Sequence, residues 1–270
     1  VLEKAWSHTI TNADWMKNWA LCRGGSKSSH IIDAWQQLYK KIYIHHATAG
    51  QAVLMNARPM LEGTDSWNTH PDIYYDNKEL WHIWGKFLEA KNVDSSGYKF
   101  DVINIGRQVL GNLFSDFRDS FTACYRQKNI EGMKEWAEKM NTLFTDVDRL
   151  LSCESDWGKN LKEKEYYEQN ARCILTTWGQ KATQLNDYAN RGWGGLTDSY
   201  YRKRWELFTQ YAIDEMSHGK EIDEKSFYNL ITEFEYQWTL QTNVYSESSG
   251  EDPIRIANLL YIKYNPYFDK

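Results

Sequence analysis

The chain has four prolines, Pro59, Pro71, Pro253 and Pro266, so the long interval between the second and third is free of the residue that most disrupts helices. Proline removes an amide donor and clashes with the preceding turn. Within that interval apolar side chains return at three- and four-residue steps, the spacing of a helix face. Val102, Ile105, Val109, Leu113, Phe117, Phe121 and Cys124 form one such stripe, and Trp136, Met140, Leu143, Val147 and Leu150 a second. Phe227, Leu230, Phe234, Trp238, Gln241 and Tyr245 form a third, with one polar member. No run of strict alternation competes, so strands have little support. The pattern predicts an all-α chain with helices near 11–22, 28–46, 76–91, 98–128, 131–152, 163–178, 185–190, 196–217, 223–246 and 252–264. Thr11 with Asp14 and Asp76 with Glu79 read as capping boxes, and Asp252 before Pro253 reads as an N-cap with a first-turn proline.

At 270 residues the chain has room for one large or two ordinary domains. Its 32 Lys and Arg against 37 Asp and Glu leave a net charge of −5, which supplies no basic field for a nucleic acid partner. No stretch approaches the roughly 18 uninterrupted apolar residues of a spanning helix, and the N-terminus lacks a charged-then-apolar secretory pattern. A soluble piece is expected, cut from a longer protein because it starts at Val1 inside an amphipathic-looking segment, with any targeting signal upstream. Cys22, Cys124, Cys153 and Cys173 are widely spaced, as expected of buried free thiols rather than a disulfide framework. The histidines His8, His30, His45, His46, His70, His82 and His218 make no H-E-x-x-H, so neither a metal nor another cofactor is expected. Phosphate-cradling glycine loops and the G-x-S-x-G elbow are also missing.

Aromatic content is the more informative signal, with 13 Trp and 18 Tyr. Trp136, Trp205 and Trp238 fall on helix stripes and are expected in the core. Trp67, Tyr74 and Tyr75 sit in or beside the long connection 56–75, where a flat ring is free to meet a sugar face. The segment LNDYANRGWGGLTDSYYRKRW at 185–205 interleaves Asp187, Arg191 and three glycines with aromatics, which fits either a packing device or the lining of a polar pocket.

The runs YYEQNARCILTTWG (166–179) and LNDYANRGWGGLTDSYYRKRWELF (185–208) resemble the C-terminal signature of glycoside hydrolase family 89, the α-N-acetylglucosaminidases. ARPMLEGTDSW (57–67) is similar to that family's Arg-Pro-x-Leu loop leading to a Trp. WMKNWALCRGG and IIDAWQQLYKKIY resemble the helices that follow its catalytic barrel, and FYNLITEFEYQW and IRIANLLYIKY its last helices. Gly192 and Gly194 stand where many relatives are expected to carry larger residues.

The resemblance implies a fold and a place in a larger enzyme: an irregular multi-helix bundle forming the C-terminal domain of a (β/α)-barrel glycosidase. Residues 1–10 would finish the barrel and 11–270 form the helical domain. The implied partners are the upstream barrel of the same protein and a glycan ending in α-linked N-acetylglucosamine, removed with retention by two carboxylic side chains. Both carboxyls would lie upstream of Val1, so no catalytic residue is expected in this chain, and Glu3 is not taken for the nucleophile. The residues expected to touch substrate are Trp67, Arg58, Asp187 and Arg191, the last two equally able to bind each other. Relatives imply a lysosomal enzyme in animals and an exported one in bacteria. A non-catalytic helical glycan-binding protein and a helical interaction domain are the competing readings of the same residues.

Overall fold

The computed structural model describes residues 10–24, 27–44, 53–64, 73–153, 172–173, 191–242 and 248–269. Among them the chain is all-α with no strand. In order come α1 (Asn12–Gly24), α2 (Ser29–Gln37) running into a wide π turn at Leu38–Ile42, a 3-10 turn at Leu54–Asn56, α3 (Asn77–Leu88), α4 (Ser96–Arg126) and α5 (Ile130–Leu151). A second π turn at Thr197–Arg202 leads into α6 (Lys203–Ser217), followed by α7 (Glu224–Thr239), α8 (Pro253–Tyr264) and a 3-10 turn at Asn265–Tyr267. The helices expected at 163–178 and 185–190 lie outside the described residues, apart from Arg172 and Cys173, which are helical.

The start signals operate through their N-cap side chains. The Thr11 hydroxyl accepts from the Asp14 amide at 3.1 Å and donates to the Asp14 carboxylate at 2.7 Å. Asp76 accepts from the Lys78 amide at 2.8 Å, but Glu79 turns away to Lys41, so only half of that box forms. Asp252 accepts from the Ile254 amide at 3.0 Å, with Pro253 in the first turn where its missing N–H costs nothing.

The chain divides into two compact units. The first combines residues 1–47, 74–109 and 252–270, and its core is an aromatic stack. Trp81 is fully buried between Tyr261, at 4.3 Å and 8° to its plane, and Phe268, at 4.1 Å and 6°. Gly85 sits one turn on from Trp81 because a Cβ there would strike the Tyr261 hydroxyl. Two other buried rings have their polar ends satisfied: Trp84 donates to the Val102 carbonyl at 2.9 Å and Tyr98 to the Phe87 carbonyl at 2.7 Å. Burial pushes the Tyr98 phenol up to about 12.

The second unit combines residues 48–73 and 110–251. Here α5 buries Met133, Ala137, Met140, Leu143, Phe144, Val147, Leu150 and Leu151. Trp136 is not in that core; it lies half-buried at the edge of the stripe, against Phe117, with the Lys139 ammonium 4.1 Å from its ring. Trp205 and Trp238 are buried as expected. On α7 the inward face is Phe227, Ile231, Glu235 and Trp238, whereas Leu230 is exposed. The apolar period is displaced there because a buried charge pair, not a leucine, sets which side of the helix turns in. Of the four thiols, all free, only Cys153 is buried, and Cys22 is exposed.

Trp81→Ala should cost about 3–5 kcal/mol, the usual range for deleting a large buried ring. Urea unfolding followed by circular dichroism measures it, and Trp81→Phe, which keeps a ring between Tyr261 and Phe268, should lose less than half as much.

Candidate functional site

Residues 53–64 contain Pro59 and form no helix beyond one turn, yet 53–59 are all buried. Buried carbonyls need donors. The Asn56 carbonyl receives a hydrogen bond from Arg204 Nη2 at 2.8 Å, and the Met55 carbonyl one from Trp205 Nε1 at 3.2 Å. Arg204 donates through Nη1 to Glu235 Oε1 at 2.9 Å and to the Tyr200 hydroxyl at 3.3 Å, and its guanidinium lies 4.7 Å from the Tyr200 ring centroid. Neither Arg204 nor Glu235 is exposed at all. One buried ion pair thus holds α6, α7 and the start of the loop.

Two residues beyond Asn56, Arg58 is buried with its guanidinium 4.3 Å from the ring centroid of Tyr228, which is 36% exposed. Arg58 lines a cleft of about 810 Å³ inside this unit, with Pro59 and Met60 beside it and Phe208, Phe227 and Ile231 opposite. Its walls mix apolar side chains with charged ones of both signs, among them Glu62, Arg126, Lys128, Lys220, Glu221 and Glu224.

The 191–205 segment is held differently. Gly194 presses on Ser152, whose Cα and amide nitrogen would lie 3.0 Å from any added Cβ, so a larger side chain has no room there. Gly195 adopts φ +79°, and its amide and that of Asp198 donate to the same Asp148 oxygen at 2.7 and 3.0 Å. Asp148 therefore caps the π turn. Burial pushes its carboxyl up to about 6, the neighbouring Asp198 charge adding to this while the two amides and Arg202 oppose it. The π turn widens the helix where consecutive Tyr200 and Tyr201 are both fully buried, and Leu196, Trp205 and Phe208 complete the inward face.

Of the residues expected at the site, Arg58 lies in the cleft, and the Arg191 amide donates to the Tyr201 hydroxyl at 3.0 Å. The Arg204 guanidinium is 5.4 Å from the Tyr201 ring, so Arg191 connects to the Arg58 loop through Tyr201, Arg204 and Asn56. Trp67 and Asp187 lie outside the described residues. Tyr228 and Glu235 fall within the FYNLITEFEYQW run but, like Asn56 and Asp148, were not singled out as site residues. Among the described residues no group of three or more His, Cys, Asp or Glu is placed to hold a metal ion, and no helix is long and apolar enough to cross a membrane.

A sequence model of the alpha-N-acetylglucosaminidase (NAGLU) C-terminal domain matches residues 15–263. The chain belongs to this family. A human alpha-N-acetylglucosaminidase is 24% identical over 94% of the chain. A family 89 glycoside hydrolase from Clostridium perfringens, solved with PUGNAc, superposes on 99% of it with a TM-score of 0.84 and 26% identity. A further structure of a Clostridium perfringens enzyme, in complex with its substrate GlcNAc-alpha-1,4-galactose, covers 98% with a TM-score of 0.83 and 25% identity. The chain spans about a third of the length of these proteins, 36% of the human enzyme and 33% of each bacterial chain. The match is to the C-terminal domain of that family, and the helical fold superposes on the corresponding third of its solved structures.

Two outcomes follow. Because the folded carboxyl of Asp148 titrates near 6, above its ordinary 3.8, the native state holds the extra proton between those values. Stability from this site is therefore full below about pH 4 and is lost as pH rises through about 6, a change on the order of 3 kcal/mol. Asp148→Asn keeps an acceptor for both amides without the charge, so its unfolding free energy, measured in urea from pH 4 to 7, should vary less with pH than the parent's. Glu235→Gln leaves the Arg204 charge buried without its counter-charge and should cost about 3–5 kcal/mol, read as a lowered urea midpoint.

Proposed function

We propose that this chain is the helical C-terminal domain of an exo-acting, retaining α-N-acetylglucosaminidase, in which it packs on a catalytic (β/α)-barrel and supplies part of the sugar pocket wall. The observation that carries this reading is the family match over residues 15–263, by a chain spanning a third of its relatives' length. The substrate is a glycan ending in α-linked N-acetylglucosamine. A retaining mechanism needs two carboxylic side chains about 5–5.5 Å apart, one to protonate the leaving oxygen and one to attack the anomeric carbon. Both belong to the barrel, upstream of Val1, with residues 1–10 finishing that barrel and 11–270 forming the helical domain.

What this domain contributes is shape and orientation. The Arg58 loop, fixed at its start by Arg204 and Trp205, leads towards Trp67, whose indole is assigned to a face of the terminal sugar. Arg58 itself, set against the Tyr228 ring, holds the loop or a ligand hydroxyl, and Asp187 with Arg191 is assigned to the same polar edge. The compartment is lysosomal or extracytoplasmic on this reading, and no cofactor is called for.

In the full-length protein, Trp67→Ala should lower kcat/KM on an aryl α-N-acetylglucosaminide about tenfold, as expected for losing one aromatic contact worth about 1.4 kcal/mol. The isolated chain should release no N-acetylglucosamine. Turnover by the isolated chain would overturn the upstream placement of the carboxyls, and an unchanged kcat/KM in Trp67→Ala would remove this loop from the pocket wall.

A further inference from the structure

Helix α4 carries Arg118, Thr122 and Arg126 at steps of four residues, which places them on one face of the helix. Each meets the loop at a successive point. Arg118 Nη1 donates to the Gly63 carbonyl at 3.2 Å and makes a longer contact of 3.5 Å with the Met60 carbonyl. The Thr122 hydroxyl donates to the Leu61 carbonyl at 2.7 Å, and Arg126 forms an ion pair with Glu62. Arg118 and Thr122 are each only 4% exposed, and Arg118 Nε is itself fixed by Asp119 at 2.7 Å.

We propose that Arg118 and Thr122 are positioning residues for the sugar pocket wall: they hold the backbone of residues 60–63 in one orientation and so set where the Arg58 loop stands. This inference rests on the reading given under Proposed function. Glu62 and Gly63 are exposed residues, yet a buried guanidinium is aimed at the Gly63 carbonyl. A charged donor fixes direction as well as adding energy. Gly63 takes φ +63° with nothing within 4 Å of a would-be Cβ, so glycine is there for its backbone, which turns that carbonyl towards α4. With Arg204 and Trp205 gripping Asn56 and Met55, Arg58 and Pro59 are held between two clamps, and the fixed φ of proline stiffens the span.

The test uses the full-length enzyme with Thr122→Val, which keeps shape and removes only the donor, Arg118→Ala and Arg118→Lys. Amides of residues 60–64 should exchange faster in Thr122→Val and Arg118→Ala, and KM for the aryl glycoside should rise about tenfold, with kcat nearly unchanged, as expected when a binding wall is lost equally from ground and transition states. Arg118→Lys, with one compact charge for two carbonyls, should recover part of the loss. Unchanged exchange, or faster exchange with a parental KM, would overturn the proposal. If Trp67→Ala is impaired while these variants are not, positioning by α4 fails alone; if Trp67→Ala is also unimpaired, the pocket-wall reading fails with it.

Discussion

Arg204 and Glu235 meet at 2.9 Å with neither side chain exposed, and the second unit is arranged around that contact. A lone charge in such a place costs several kcal/mol, and pairing offsets this only when the remaining donors are also used. Arg204 directs its two terminal nitrogens to the Tyr200 hydroxyl and the Asn56 carbonyl as well as to Glu235, and the Tyr200 ring lies under its guanidinium. Moving any of the three partners leaves a buried polar group short of a bond. The pair therefore fixes the rotation of α7, the exit direction of the loop after Asn56, and the registry of the π turn that brings Tyr200 inward.

The same solution is used a second time. Arg172 is fully buried, donates to the Trp238 carbonyl at 3.1 Å and places its guanidinium 4.4 Å from the Trp238 ring centroid. A guanidinium is planar and weakly hydrated, so an aromatic face accommodates it where an ammonium would demand water. Arginine within an aromatic core supplies directional contacts that an aliphatic core lacks. That is how the YYRKRW segment, which ends a run of turn-forming glycines, becomes rigid enough to carry a neighbouring loop.

Helices α4, α5 and α7 were legible because each repeats its apolar residues over several turns, and three of the caps announced themselves through Thr11, Asp76 and Asp252. Where the period misled, a charge was responsible: on α7 the stripe through Leu230 and Phe234 looked inward-facing, but Glu235 turns in and Leu230 turns out. No local pattern distinguishes this acid from the solvent-facing ones around it, since its partner is 31 residues away. The π turns were equally invisible, because one wide turn shifts the phase of a helix without changing its composition. Arg58 could be marked through the resemblance of its loop, whereas Tyr228 sat in a family-like helix with nothing to tell it from the other aromatics there. Likewise Asp148 reads as one more polar position on α5, and only the fold brings the Gly195 and Asp198 amides to it.

Gly194 shows why the most family-like stretch of the chain need not be the place where bonds break. Its lack of a side chain lets the segment rest on Ser152, which in turn brings the amides of Gly195 and Asp198 within reach of Asp148 at the far end of α5. From that cap the π turn begins, and from the π turn come Tyr200, Tyr201 and Arg204. Arg204 then grips the carbonyl two residues before Arg58. Each step is a short-range contact with little freedom, so the position of the loop is determined by residues that never approach a ligand. On the reading proposed above the loop stands in a sugar pocket wall, where displacements well below an atomic diameter matter to the geometry. The constraint on this segment is thus one of placement, passed from a glycine through a cap and a buried arginine to the loop.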